Sequence, residues 1–220
     1  MHTSIQLRKL NKSFADKVLF SDLSYTFKRQ AYHLIGKNGV GKSILLKLIV
    51  GLELPDSGSI VLNDKYLVTA NELNKKNLFY VPDDLAIYPF LTGEEFLVWM
   101  AKARTNNPGE INYLVKQLDV QSHLKTAFGN MSFGTKKKFL LISALIGHPE
   151  FIILDEPLNG LDTKSQHTLL LLLKEKLNDC GMILTTHHDA NLELLETIKV
   201  EIVNHHVVDV HETSDESMVV

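Results

Sequence analysis

Cysteine is nearly missing. Cys180 stands alone among 220 residues, so no intrachain disulfide can form. That agrees with a reducing compartment. Long hydrophobic runs are missing too. The best candidates, LLLLL at 169–173 and FLLISALIG at 139–147, fall far short of the ~18 apolar residues a membrane span needs. The opening MHTSIQLRKL has no unbroken apolar stretch, so no signal peptide is expected. Charge of one sign is scarce: 23 Lys and Arg against 26 Asp and Glu leave a net −3. No broad basic footprint for nucleic acid exists, and an anionic ligand needs a local site. Internal repeats and low-complexity segments are absent. Work at a membrane would require a partner that crosses it.

What remains is an ordinary globular composition, 45% hydrophobic and 22% charged, in a chain long enough to bury a real core. Strands are expected at SIQLRKL, KVLFSDLSYTF, AYHLIG, SIVLND and NLFYVPDD. GKSILLKLIVGL carries its apolar residues at helical spacing. From 88 to 144 the texture is helical, with helices expected over 93–104, 110–119 and 133–146, and TNNPG punctuating the first two. FIILDEP and GMILTTHH are short, wholly apolar runs, as in buried parallel strands. A helix lies between them at TKSQHTLLLLLKEKLND. A short helix at ANLELLETI and strands over 199–204 and 206–210 follow. Strands alternating with helices predict an α/β core with a parallel sheet.

Residues 36–43, GKNGVGKS, fit the pattern G-x-x-x-x-G-K-[ST] between an expected strand and an expected helix. Glycines let consecutive backbone N–H groups turn into one concavity that binds phosphate oxygens, and the helix adds its positive N-terminal end. Gly36, Lys37, Asn38, Gly39, Val40 and Gly41 would form that loop. Lys42 would supply a point charge to the β- and γ-phosphates, and Ser43 would hold Mg2+. The plain alternative is a glycine-rich turn with an incidental lysine. FIILDEP supplies the acidic counterpart: Asp155 at the end of a buried strand for the Mg2+ shell, and Glu156 to orient or deprotonate water. Two acids capping the next element are the alternative.

These motifs and four further stretches follow one order. The chain resembles, over nearly its whole length, the ATP-binding subunit of an ABC transporter. GKNGVGKS is similar to the family's phosphate loop, and FIILDEP to its second nucleotide motif with the catalytic glutamate, Glu156. LNGLD, with Asp162, resembles the D-loop. TTHH resembles the switch region, with His187 on the γ-phosphate, and MSFGTKKK the signature, with Ser132 and Gly134. Phe14 matches the aromatic that stacks on adenine, and YVPDD sits where the family has its glutamine loop. For Phe14 the alternative is core packing, and for His187 a satisfied strand-end histidine. Asp162 can also cap the next helix.

The resemblance implies an α/β P-loop NTPase (RecA-like) parallel-sheet core, with an N-terminal antiparallel β subdomain and an inserted α-helical subdomain. One ATP-binding domain would span 1–220: core 1–84 and 145–211, helical part 85–144, tail 212–220. It implies ATP and Mg2+, ATP hydrolysis, a transmembrane permease as partner and a second ATP-binding subunit, with a homodimer expected and no nucleic acid. The place is the cytoplasmic face of the cell membrane, held there by the permease, whose docking is expected near 85–90. The short length, IYPFLTGEE and the altered signature resemble export-type subunits.

Three features depart from the family pattern. Phe133 and Thr135 replace a glycine and a longer amide of the signature. Lys136, Lys137 and Lys138 then form either a solvated face or an attraction for triphosphate. Asp83 replaces the glutamine, as a Mg2+ ligand or, with Asp84, as a polar turn. Two other functions stay open: a nucleotide-binding module with little turnover, and an ABC-type ATPase acting on DNA or ribosomes. Against the latter, only 90 residues separate Lys42 from Ser132, too few for a long coiled coil, and one cassette is present.

Overall fold

The computed structural model describes residues 3–15, 17–68, 76–84, 87–104, 107–187 and 189–210. Its first two strands, β1 (Ser4–Phe14) and β2 (Lys17–Lys28), pair antiparallel. Ile5 and Leu7 alternate inward, and the register then shifts before Leu10. Lys9 adopts a positive φ at that shift. Such bulges re-aim the side chains, so one strand runs past the expected end at Leu10 to Phe14. With β4 (Ser57–Leu62) and β5 (Tyr66–Leu67) these strands form a four-stranded antiparallel sheet, ordered β2-β1-β4-β5.

The second sheet has six strands in the order β10-β9-β3-β8-β7-β6. They are β3 (Ala31–Ile35), β6 (Leu78–Val81), β7 (Phe151–Leu154), β8 (Gly181–Leu184), β9 (Ile198–Val203) and β10 (His206–Asp209). All neighbours pair parallel except β9 with β10. In β7, Ile152 and Leu154 enter one apolar cluster, and Phe151 and Ile153 enter another on the opposite face. A strand covered on both faces has no position for a polar residue, hence FIIL and MIL.

The longer helices are α1 (Lys42–Ile49), α2 (Gly93–Arg104), α3 (Pro108–Gln117), α4 (Phe133–Leu145) and α5 (Thr163–Lys176). The helix expected over 110–119 lies two residues earlier. Asn107 caps it by accepting the Gly109 N–H at 3.0 Å, and Pro108 occupies its first turn. Asp119, at positive φ, lies beyond its end. ANLELLETI forms a 3-10 segment, Asp189–Leu195, where an ordinary helix was expected. Leu85, Ala86 and the expected tail 212–220 lie outside the described residues.

Because β3, β6, β7 and β8 are parallel, the segments that follow them leave the sheet at one edge. Those segments hold Gly36, Asp83, Asp155 and His187, and ligands of open α/β sheets bind outside the carboxyl ends of the strands.

Candidate nucleotide site

The loop after β3 needs glycine most clearly at Gly41. Its φ is +116°, and a Cβ there would stand 3.1 Å from the Phe20 ring. Gly41 is also the N-cap of α1 and brings no side chain to the first-turn amides, which leaves them to a ligand. Lys42 Nζ donates to the Gly36 carbonyl at 2.7 Å and reaches the Lys37 carbonyl at 3.5 Å. Lys17, a residue that sequence reasoning passed over, donates to the Gly39 carbonyl at 2.7 Å.

At the end of β7, Asp155 and Glu156 are both buried. Thr185, at the end of β8, donates its hydroxyl to Asp155 Oδ1 at 2.7 Å and accepts the Glu156 N–H at 3.0 Å. One hydroxyl thus fixes both acids. The available signal was a threonine closing an apolar strand, where a buried hydroxyl must find partners. Glu156 has a φ of +47°. Its Oε1 lies 3.3 Å from His187 Nε2, and its buried Oε2 has no hydrogen-bond partner. Burial pushes the Glu156 carboxyl above the ordinary range; His187 opposes this, while Asp155 and Asp83 reinforce it.

These groups meet in one cleft of about 360 Å3. The loop contributes Asn38, Gly39, Gly41, Lys42 and Ser43, and the sheet edge contributes Asp83, Asp155, Glu156 and His187. Leu19 and Ile44 add apolar wall. Gly36, Lys37 and Val40 are not among the residues that line it. Phe14 is outside it as well, 44% exposed, with Lys12 Nζ 4.7 Å from its ring centre.

The signature and D-loop residues form a second group. Ser132 Oγ caps α4 by accepting the Thr135 N–H at 3.2 Å. Asp162 caps α5, taking the Ser165 N–H at 2.9 Å and the Ser165 hydroxyl at 2.8 Å. A Cβ at Gly134 would lie 2.5 Å from the Gly160 carbonyl oxygen, so the first turn of α4 and the Gly160 loop touch backbone to backbone. The Phe133 ring covers Gly160 on the same contact. None of Ser132, Gly134 and Asp162 lines the cleft.

The lysine run fits neither reading offered for it as a whole. Lys137 is fully buried, Lys138 lies 3.7 Å from Asp162, and Lys136 is half-buried. Lys137 Nζ donates to the carbonyls of Pro82 at 3.1 Å and Asp155 at 3.3 Å, and stands 3.6 Å from Asp83 Oδ1. Burial lowers its ammonium below the ordinary lysine range, against the pull of Asp83 and Asp155. Asp83 also accepts from Asn159 Nδ2 at 3.4 Å.

Among the described residues no group of three or more His, Cys, Asp or Glu is placed to hold a metal ion. Mg2+ accompanying a nucleotide takes one or two protein oxygens and completes its shell with phosphate and water. Ser43 and Asp155, facing one cleft with the phosphate loop, fit that donor set.

The profile of the family described as ABC transporter matches residues 20–159. The chain belongs to that family. It is 31% identical to the zinc import ATP-binding protein ZnuC of Rickettsia conorii, over 92% of this chain and 84% of that one. It is 29% identical to the linearmycin resistance ATP-binding protein LnrL of Bacillus subtilis, over 87% of this chain but 63% of that one. A solved ATP-binding subunit of an ABC transporter superposes with a TM-score of 0.84 at 27% identity, covering 94% of this chain and 90% of that one. At 18% identity and a TM-score of 0.80, a dimeric ATP-binding cassette solved with ADP and Pi shares the fold, over 92% of this chain and 96% of that one. The fold is thus the nucleotide-binding α/β fold of ABC proteins. The relatives include import and resistance proteins alike, so export is not singled out.

Proposed function

We propose that this chain is an ATP-hydrolysing subunit of an ABC transporter, working as a pair and driving a permease carried on another chain. The observation that carries this is the meeting of Lys42, Ser43, Asp155, Glu156 and His187 in one cleft. Loop amides and Lys42 would bind the β- and γ-phosphates. Mg2+ held by Ser43 and Asp155 would supply positive charge against the phosphate oxygens. Glu156, its carboxyl already raised by burial, would accept the proton of the attacking water, and His187 would hold Glu156 and face the γ-phosphate. Phe14 would stack on adenine.

Ser132, Gly134 and Asp162 belong in this scheme to the neighbouring copy's site. They stand apart from their own cleft, and Ser132 opens a helix whose amide end can meet phosphate. A paired arrangement, with a homodimer as the simplest form, gives that end a ligand. Among the described residues no helix is long and apolar enough to cross a membrane. We place the chain at the cytoplasmic face through its permease.

Phosphate release from Mg-ATP by the purified protein, read with malachite green, tests the reading. Absence of both turnover and nucleotide affinity would sink it. Two smaller effects are expected. Phe14→Ala should raise KM for ATP by about tenfold, a stacked aromatic being worth roughly 1–2 kcal/mol by analogy with base stacking. An unchanged KM would return Phe14 to a structural role. For permease docking, Tyr88 and Phe90 are largely exposed, with ring centres 5.6 Å apart. Replacing both by alanine should leave basal hydrolysis within about twofold and abolish transport in reconstituted vesicles, as an exposed aromatic pair that becomes a buried anchor would. Loss of both activities together would count against docking there.

A further inference from the structure

Asp83 and Lys137 have no part in the steps above, yet they form an ion pair beside the cleft, with Nζ to Oδ1 at 3.6 Å. Lys137 sits in the second turn of α4, with no solvent exposure. An ammonium has three donors. Three oxygens surround this one: the Pro82 carbonyl beyond β6, the Asp155 carbonyl beyond β7, and Asp83 Oδ1. Residues beside both carbonyls line the cleft. One buried cation therefore ties together the ends of two neighbouring parallel strands at the place where a triphosphate would lie.

The charges require such a group. Asp83, Asp155 and Glu156 face the same cleft. Three carboxylates repel the anion the phosphate loop is shaped to hold, and removing an ammonium from water is costly unless its charge is used. Asp83 is half-exposed toward the cleft and bonded behind by Lys137 and Asn159.

We propose that Lys137 is a positioning residue for the nucleotide site: paired with Asp83, it cancels that carboxylate's charge toward the triphosphate and fixes the ends of β6 and β7 relative to each other. The pair stands where the family has a neutral amide, and it presents the same net charge. This rests on the nucleotide reading of the cleft. Asp83 is then an ion-pair partner rather than a Mg2+ ligand.

The test is equilibrium binding of a fluorescent ATP analogue, with Mg2+ and with EDTA, at low and high salt. Four proteins are compared: wild type, Asp83→Asn, Lys137→Gln and the double variant, each with its melting temperature. Lys137→Gln should weaken Mg-free binding by about tenfold at low salt, by leaving Asp83 uncompensated. The double variant, with two neutral amides, should return to within about threefold of wild type, the coupling expected of contacting charges. Equal losses from Lys137→Gln in both backgrounds, or no loss at all, overturn the proposal. If Lys137→Gln does not fold, Asp83→Asn decides alone. It should lower the melting temperature, by stranding a buried ammonium, and tighten Mg-free binding at least about twofold; no change in either quantity overturns the proposal. A wild type with no affinity for the analogue overturns the nucleotide reading and this inference with it. Tight wild-type binding with additive variants overturns the inference alone.

Discussion

Glu156→Gln is expected to lower phosphate release from Mg-ATP by about 100-fold or more while changing nucleotide affinity by less than about threefold. A positioned general base contributes roughly 10²–10⁴ to a rate, and an amide cannot accept the proton. The backbone should hardly move, because the Glu156 N–H to Thr185 bond does not involve the replaced group. The fit to the pocket also survives: glutamine has the same shape, and the buried Oε2 position already lacks a partner. Loss of the negative charge removes a repulsion toward triphosphate, so affinity should hold or rise. If hydrolysis is what reopens the pair, this variant with ATP should also run as a dimer on a sizing column. A malachite-green assay beside a binding titration separates the outcomes. Equal and negligible turnover in wild type and variant, with nucleotide still bound, would favour a binding module over an ATPase.

The parts of this site that were legible are those where local sequence and tertiary role agree. FIIL and GMIL could be read as buried parallel strands because both faces of the sheet are covered, which leaves period-2 alternation no purpose. The glycine-rich loop between β3 and α1 could be read because its glycines serve backbone geometry, as the +116° φ of Gly41 shows. Lys137 was illegible for the opposite reason. It lies between two other lysines in a helix buried on several sides, so no stripe marks its direction, and successive helical residues point about 100° apart. Its partners at Pro82 and Asp155 are 55 and 18 residues away. Thr185 was missed because a hydroxyl at a strand end has many satisfied outcomes, and only the approach of β7 to β8 selects this one. The sequence offers Asp162 both as a cap and as a D-loop residue, and Ser132 as a signature residue. The structure displays the caps; in the proposed pair the second role falls to a neighbouring copy.

Lys42→Ala is expected to weaken binding of Mg-ATP by about 100-fold and to remove measurable hydrolysis with it, which sets it apart from Glu156→Gln. Hydrogen bonds involving a charged group contribute about 1.5–3 kcal/mol each, and about 1.4 kcal/mol is tenfold in affinity. An ammonium reaching two phosphates therefore accounts for a loss of this size. Stability should change little. Lys42 Nζ is held by the carbonyls of Gly36 and Lys37, within its own loop, and is not buried in the core. Those bonds bear on the mechanism as well. In the proposed site the ammonium would leave the 2.7 Å contact with Gly36, or share it, on meeting phosphate, so part of its attraction would offset that exchange. Lys17 provides the control: it braces the same loop through Gly39 at 2.7 Å without lining the cleft, so Lys17→Ala should loosen binding by no more than about fivefold. A fluorescent nucleotide titration of both variants, with melting curves, distinguishes a phosphate-binding charge from a loop brace. Lys42→Ala at wild-type affinity would remove the electrostatic basis of the site, because no other ammonium lines the cleft among the described residues.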